Sequence, residues 1–328
     1  MVTAIAARLE VRALTVELPT ETGWVRPVND VSFSLAEGET LGIVGESGSG
    51  KTMLSLALMG LEPPGARRSG EAWLETRDGE RMNLITAARE ELRKMRGRDI
   101  AMIFQEPMTA LDPVMRVGAQ VEEAIRVHDS SVSATEIGRR VIEALKRAAV
   151  PEPERRARQY PHQLSGGLRQ RVMIAMALAP GPRILIADEP TTALDVTVQK
   201  QILELLAQLR RELQLSMLFI THDLGVVAQI TDRTMVMYAG RIVEEGPTAE
   251  LLRHPRHPYT EGLLRAAPRL ERGKLTPIRG TVPALNALPT GCSFAPRCDT
   301  HVPECDSAVP PLVKVGGGEH LARCILAE

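Results

Sequence analysis

The chain has 328 residues, which is long enough to bury one large core and to carry an appendage. Its 40 basic and 41 acidic residues nearly cancel, so no overall field points to nucleic acid or to an anionic membrane. Two Trp, three Tyr and four Phe are too few to favour a binder of single-stranded nucleic acid, which would need stacking platforms.

The N-terminal segment "MVTAIAARLEVRAL" lacks the uninterrupted apolar stretch of a signal peptide, because Arg8, Glu10 and Arg12 fall within it. The longest apolar run of the chain, "VMIAMALAP", is about half the length that spans a bilayer. We therefore expect a soluble, cytosolic chain.

Up to residue 246, short apolar runs alternate with amphipathic or charged runs. In chain order these runs predict a half-buried strand at 31–35, a buried strand at 41–45, a helix, a hairpin at 71–84 turning at Asp78-Gly79, a charged helix, a strand at 99–104, interrupted helices at 122–158, a strand at 183–188, a helix at 196–214, a strand at 216–220, a helix at 224–231 and a strand pair at 233–246. Strands that alternate with helices indicate an α/β fold with a mainly parallel sheet covered on both faces.

Proline becomes frequent after Gly246. This change in composition predicts a division of the chain into a main domain at 1–246 and an irregular extension at 247–328 that packs on it.

The segment "GESGSGKT" at 45–52 follows a buried strand and precedes a helix, which is the context that a phosphate-binding loop requires. Backbone N–H groups from Ser47 to Lys51 would face the phosphates, and the helix dipole would add positive potential. Lys51 would reach the β- and γ-phosphates, and the Thr52 hydroxyl would bind Mg²⁺. The alternative is an ordinary glycine-rich turn. The candidate residues of this segment are Gly45, Ser47, Gly48, Ser49, Gly50, Lys51 and Thr52.

Two adjacent acids, Asp188 and Glu189, end the apolar run of "RILIADEPT". Ligands of open α/β sheets collect at such strand ends, and buried acids are unfavourable there without a cation or another partner. Asp188 is suited to hold Mg²⁺, and Glu189 can act as the general base toward a water molecule. A helix cap formed by Asp188 is the structural alternative.

Between these elements lies "QLSGGLRQRVMIAMAL", in which Ser165 is a suitable helix cap and Gly166 and Gly167 permit close backbone approach. This segment resembles the signature loop of ATP-binding cassette (ABC) ATPases. The other motifs of the family follow the expected order along the chain. Gln105 resembles the Q-loop glutamine, "TALD" at 192–195 resembles the D-loop, and His222 resembles the switch histidine. The resemblance covers about residues 9–246. It implies a P-loop NTPase with a RecA-like core, an antiparallel β subdomain and a helical subdomain at about 106–165.

The resemblance also implies a dimer, in which ATP bound by Lys51 of one subunit is clamped by Ser165, Gly166 and Gly167 of the other. It implies that Gln105 joins Thr52 and Asp188 around Mg²⁺, and that His222 contacts the γ-phosphate and positions the water near Glu189. Lys51, Gln105, Glu189 and His222 are thus the candidate catalytic residues. Leu168 departs from the glutamine found in many members.

One aromatic residue, Trp24, is a candidate for stacking on adenine. Trp24 is the only aromatic residue in the region where the ABC resemblance implies an adenine-stacking side chain, although it lies a few residues from the expected position. A surface tryptophan packed on a hairpin is the alternative.

The C-terminal segments "EEGPTAELLRHPRHPYTEGLLRAAPRL" and "IRGTVPALNALPTGCSFAPRC" resemble the extension of dipeptide/oligopeptide importer ATPases. That resemblance implies a peripheral protein on the cytoplasmic face of the inner membrane, paired with a second cassette, with a heterodimer favoured. The expected partners are two permeases and, indirectly, an extracytoplasmic peptide-binding protein. Residues 106–113 would lie near the groove that receives a permease helix.

All four cysteines of the chain, Cys292, Cys298, Cys305 and Cys324, lie in the last 37 residues. Their spacing lacks the C-x₂-C pattern of common zinc sites, whereas four thiolates suit a [4Fe–4S] cluster. The peptide-importer resemblance also favours such a cluster. A zinc site that uses His301 or His320, and four plain thiols, remain alternatives.

Competing functions remain open at this point. A soluble ABC ATPase that acts on nucleic acid or ribosomes would normally show long insertions or basic patches. A non-hydrolysing interaction subunit would be expected to lack Glu189 or His222. The solute is not encoded here, so dipeptides, oligopeptides, nickel chelates and glutathione-like solutes are all candidates.

Overall fold

The computed structural model describes residues 7–21, 23–106, 110–192, 194–267, 277–316 and 318–327. Strands and helices alternate through the main part of the chain, as the sequence predicts. The strands are β1 (Ala7–Thr20), β2 (Gly23–Ala36), β3 (Thr40–Val44), β4 (Arg67–Glu75), β5 (Arg81–Asn83), β6 (Ile100–Ile103), β7 (Ile184–Asp188), β8 (Ser216–Thr221), β9 (Arg233–Tyr238), β10 (Arg241–Pro247), β11 (Val313–Lys314) and β12 (Leu321–Ala322).

Helices cover the remaining regular segments. They are α1 (Lys51–Met59), α2 (Arg89–Met95), α3 (Val117–Arg126), α4 (Ala134–Arg147), α5 (Pro153–Arg156), α6 (Gly166–Leu178), α7 (Val196–Leu213), α8 (Leu224–Ile230), α9 (Thr248–Arg253) and α10 (Pro258–Ala266), with 3₁₀ turns at Pro161–Gln163, Ala295–Arg297 and Pro303–Asp306.

The larger sheet has the strand order β11-β12-β10-β9-β3-β8-β7-β6 among the described residues. From β9 to β6 all neighbours are parallel, which confirms the mainly parallel sheet. The side chains of β8 show that both faces are covered: Leu218 and Ile220 join one apolar cluster, while Met217 and Phe219 join another. The carboxyl ends of β3, β6, β7 and β8 therefore meet at one edge.

A smaller antiparallel sheet has the order β2-β1-β4-β5 in the described part of the chain. The predicted hairpin is present, because Trp73 pairs with Asn83 and Glu75 with Arg81. Strand β1 is not evident from the sequence. Its buried residues do not alternate regularly, because the register shifts between Val11 and Leu14 and Ala13 adopts a φ of +47°.

The segment expected to be irregular contains the helices α9 and α10, and β12 adds to the main sheet by pairing with β10. It shares an apolar cluster with the last strands, formed in part by Val236, Tyr238, Tyr259 and Phe294. The predicted division at residue 246 falls inside β10 and stays a prediction.

A buried carboxylate, Glu244, attaches this segment to the main sheet. It accepts hydrogen bonds from the backbone N–H groups of Arg256 and His257 at 2.7 and 3.0 Å. His320 donates from Nε2 to the same carboxylate at 2.7 Å, and both side chains are almost fully buried. Three donors from two separate stretches of the segment thus depend on one carboxylate.

We predict that Glu244→Gln destabilises the protein by about 1–3 kcal/mol, because an amide nitrogen cannot accept and at least one buried donor loses its partner. Chemical denaturation followed by circular dichroism would measure the loss. Glu204→Gln on the exposed face of α7 is the matched control. Equal denaturation midpoints for the two variants would contradict the attachment role of Glu244.

The glycine-rich loop, residues 45–50, is packed tightly between two other segments. A Cβ atom on Gly50 would lie 2.0 Å from the carbonyl oxygen of Pro27, and the φ of Gly50 is +106°. On the other side, the N–H of Gly240 donates to the carbonyl of Ser49 at 3.0 Å. The loop path therefore depends on the absence of a side chain at residue 50.

We predict that Gly50→Ala lowers the free energy of unfolding by more than about 3 kcal/mol, because the methyl group must displace backbone. Gly48→Ala is the control: its φ is +80°, yet its Cβ would meet nothing within 4 Å. It should cost only the backbone strain, about 1–2 kcal/mol. Thermal unfolding without nucleotide measures both variants, and equal losses would contradict the packing argument.

Candidate functional site

The candidate site lies at the carboxyl ends of neighbouring parallel strands. The glycine-rich loop follows β3, Asp188 ends β7, His222 follows β8, and Gln105 lies two residues after β6. Because β3, β8, β7 and β6 are consecutive in the sheet, the topology brings together segments that are up to 171 positions apart (residues 51 and 222). This is where ligands bind in open α/β sheets.

Lys51 begins α1 and folds back into the glycine-rich loop. Its Nζ donates to the carbonyls of Gly45 and Glu46 at 2.8 and 3.0 Å and lies 3.4 Å from the hydroxyl of Ser49. Burial lowers the pKa of Lys51, and nearby carboxylates offset this only in part. A buried ammonium surrounded by neutral backbone oxygens is well suited to accept an anionic ligand.

Asp188 is the carboxylate best placed for a divalent cation. It is 1% exposed, its Oδ1 has no hydrogen-bond partner among the described residues, and burial raises its pKa to about 6 despite a hydrogen bond from Thr52. A buried oxygen without a partner, next to a hydroxyl, fits the oxygen ligands that Mg²⁺ prefers. The alternative of a helix cap is wrong, because Asp195 caps the next helix through the N–H of Val198.

Glu189 gathers three polar side chains on a single carboxylate oxygen. Its Oε2 accepts hydrogen bonds from Gln105 Nε2 at 3.1 Å and Thr192 Oγ1 at 2.8 Å, and His222 Nδ1 lies 3.3 Å away. Its φ of +46° is uncommon for a residue with a side chain. The structure thus brings together the residues predicted for hydrolysis.

The contact from Thr192 was not predicted. The sequence signal for this contact is the hydroxyl of Thr192, three residues after Glu189, but Thr192 was considered only as part of the D-loop segment "TALD". Ala193 of that segment lies outside the described residues.

Ser165 caps α6, as expected. Its hydroxyl accepts from the N–H of Leu168 at 3.4 Å, and Gly166 and Gly167 form the first turn. Gly167 packs against Val198, where a Cβ would come within 2.7 Å of a methyl carbon. Ser165 and Gly166 are exposed, so this helix start is accessible to a partner.

Trp24 lies at the turn between β1 and β2, where it pairs with Pro19. It is 42% exposed, and the Arg67 guanidinium lies 3.9 Å from its ring centroid. This is the geometry of a tryptophan packed on a hairpin, and the adenine contact stays a prediction.

The four cysteines are free thiols that line one small cavity, with His257 and Phe294 also on its wall. Among the described residues, no group of three or more His, Cys, Asp or Glu side chains is arranged to hold a metal ion. Neither histidine of the zinc alternative lines the cavity: His301 contacts Asp306 at 3.1 Å, and His320 is held by Glu244. The structure therefore assembles the thiols but does not itself show a metal centre.

Comparisons with known proteins agree with this arrangement. A family model described as ABC transporter matches residues 28–192, and one described as "Oligopeptide/dipeptide transporter, C-terminal region" matches residues 243–305. A protein of Brucella ovis named as a "putative peptide import ATP-binding protein" is 50% identical in an alignment of 327 positions that covers 97% of this chain and 96% of the relative. A Brucella abortus protein named in the same way is 48% identical in an alignment of 322 positions that covers 97% of this chain and 95% of the relative.

Two similar solved structures support the same conclusion. One is a dimeric post-hydrolysis state of a cassette bound to ADP and Pi, with a TM-score of 0.64 and 31% identity over 73% of this chain and 98% of that one. Another is cbiO1 from Clostridium perfringens, part of the ABC transporter complex cbiONQ, with a TM-score of 0.63 and 28% identity over 76% and 91% of the two chains. The chain belongs to the ATP-binding proteins of the ABC transporter family and carries the C-terminal region of its oligopeptide/dipeptide transporters.

Proposed function

We propose that this chain is the ATP-hydrolysing subunit of a peptide importer, bound to the cytoplasmic face of the inner membrane. One observation supports hydrolysis above all: Gln105, Thr192 and His222 converge on the carboxylate of Glu189, close to buried Lys51 and Asp188. A subunit that only binds nucleotide would not need this convergence.

Each residue of the site would have a separate role in binding or hydrolysing ATP. Lys51 and the glycine-rich loop bind the β- and γ-phosphates. Thr52, Asp188 and Gln105 would hold Mg²⁺, which neutralises charge that develops on the phosphates. Glu189 accepts a proton from the attacking water, while His222 fixes the carboxylate and contacts the γ-phosphate.

The exposed start of α6 supports a second cassette as partner. Its free N–H groups and the positive end of the helix dipole would clamp the γ-phosphate of ATP bound to the other subunit. Ser165, Gly166 and Gly167 supply this clamp. A heterodimer remains our expectation.

An apolar groove between β6 and the helices α3 and α6 supports a permease as the second kind of partner. Leu61, Phe104 and Val127 line it and are 39%, 39% and 61% exposed. An apolar groove with exposed large side chains suits an amphipathic helix. Residues 107–109, expected near this groove, lie outside the described residues.

In the described part of the chain, the helices are too short or too polar for any of them to span a bilayer. Attachment to the membrane would therefore come from permeases. The C-terminal region and the names of the relatives support peptides as the solute, ahead of nickel chelates or glutathione-like compounds.

We predict that the chain, reconstituted in proteoliposomes with two permeases and a peptide-binding protein, hydrolyses ATP faster when peptide is added. Glu189→Gln should lower the turnover rate by about 100-fold or more and leave ATP binding intact, because the general base is lost. Turnover assays across peptide lengths measure both effects, with Glu204→Gln as the control.

Two results would contradict this proposal. One is a wild type that binds ATP but never hydrolyses it with its partners present. The other is stimulation by nickel chelates or glutathione and not by peptides.

We further propose that the cavity lined by the four thiols holds a [4Fe–4S] cluster. The supporting observations are the convergence of all four cysteines on one cavity and the absence of His301 and His320 from its wall. The cluster would link segments of a tail that has little apolar core of its own.

We predict about four iron and four sulfide per chain after anaerobic purification, lost in Cys305→Ser and retained in His301→Ala. Elemental analysis with electron paramagnetic resonance after reduction makes the measurement. Stoichiometric zinc would show the alternative site, and the absence of both metals would show plain thiols.

A further inference from the structure

The glycine-rich loop is held by the C-terminal segment through one residue, Glu46. The Arg297 guanidinium donates to both carboxylate oxygens of Glu46, at 2.6 and 3.0 Å. The hydroxyl oxygen of Tyr259 accepts a hydrogen bond from the backbone N–H of Glu46 at 2.8 Å. Both the side chain and the backbone of Glu46 are thus fixed by residues more than 200 positions away.

Arg297 is itself fixed in place. Its side chain is 4% exposed, and it also donates to the carbonyl of Arg279 at 2.9 Å. It lies beside the rings of Tyr238 and Phe294, with its central carbon 5.8 and 5.9 Å from their centroids. A planar guanidinium with this many partners defines a position far better than an exposed ion pair does.

Tyr259 belongs to the same buried aromatic group. Its ring centroid lies 4.6 Å from that of Tyr238 and 5.3 Å from that of Phe294. Phe294 lies on the wall of the thiol cavity. A continuous layer of packed side chains therefore connects that cavity with the glycine-rich loop.

The position of Glu46 also affects Lys51, the lysine expected to bind phosphate. The carbonyl of Glu46 accepts a hydrogen bond from Lys51 Nζ at 3.0 Å, so a shift of the Glu46 backbone would also move an anchor of the ammonium. Charge adds a second effect. Without Arg297, the carboxylate of Glu46 would be left unpaired inside a loop that must accept a polyanion.

We propose that Arg297 and Tyr259 are positioning residues for nucleotide binding, so that the C-terminal segment forms a structural part of the nucleotide site. This inference rests on the proposed function, because it takes the glycine-rich loop as the phosphate site. Neither residue touches the nucleotide. Both act by holding Glu46 and, through it, the loop.

The test measures the affinity of the full-length chain for a non-hydrolysable ATP analogue with Mg²⁺, by isothermal titration calorimetry. We expect Tyr259→Phe and Arg297→Met each to weaken binding about fivefold to tenfold, or about 1–1.4 kcal/mol. Arg297→Lys should recover part of the loss, because it restores the charge but not the paired hydrogen bonds. Arg265→Met is the control, since the ion pairs that Arg265 forms with described residues of the same segment are exposed.

Kinetics separate positioning from general damage. Tyr259→Phe keeps the ring and removes only the hydroxyl. In this variant the KM for ATP should rise, while kcat should stay within about twofold of the wild-type value. The unfolding midpoint should stay within about 2 °C of that of the wild type. If Arg297→Met does not fold, the affinity of Tyr259→Phe for the analogue tests the inference by itself. Wild-type affinity in folded Tyr259→Phe would overturn the inference. A wild type that binds no analogue would instead overturn the proposed function.

Discussion

The geometry of the glycine-rich loop depends on contacts from three other parts of the chain. Pro27 of the antiparallel sheet leaves no room for a side chain at Gly50, and Gly240 after β9 holds the carbonyl of Ser49. The C-terminal segment holds Glu46. Within the loop, the N–H of Ser49 donates to the carbonyl of Glu46 at 3.2 Å. N–H groups that must point to an anion cannot be used in this way, so the path of the loop also depends on contacts from outside. The nucleotide site is therefore a product of the whole fold rather than of its motif.

The same logic explains which parts of the site could be predicted. Lys51, Asp188 and Glu189 lie in short motifs directly after apolar strands, and the rule that parallel strands end at one edge brings their segments together. Arg297 could not be found in this way, because it is 251 positions from Glu46 and no local pattern marks the pair. Strand β1 was missed because its bulge interrupts the alternation from which a strand is recognised.

The C-terminal segment differs most from its sequence-based description. Prolines indicated an irregular extension, but they did not reveal that β12 and β11 extend the main sheet or that Glu244 binds donors from two separate stretches. The structure places the four thiols around one cavity, as the proposed cluster would require, but no group of three or more His, Cys, Asp or Glu side chains is arranged to hold a metal ion among the described residues. The short segment that carries Cys292 and Cys298 also carries Phe294 and Arg297. The thiol cavity and the glycine-rich loop are thus neighbours in space.

The contacts on Glu46, Ser49 and Gly50 imply that the glycine-rich loop is already shaped for phosphate before nucleotide binds. A pair of crystal structures would test this, one without nucleotide and one of the Glu189→Gln protein with Mg²⁺ and ATP. We expect the backbone of residues 45–51 to differ by less than about 1 Å between them, with the contacts of Arg297 and Tyr259 to Glu46 present in both. A loop that refolds on binding, or a Glu46 released from Arg297 in the bound state, would contradict the claim.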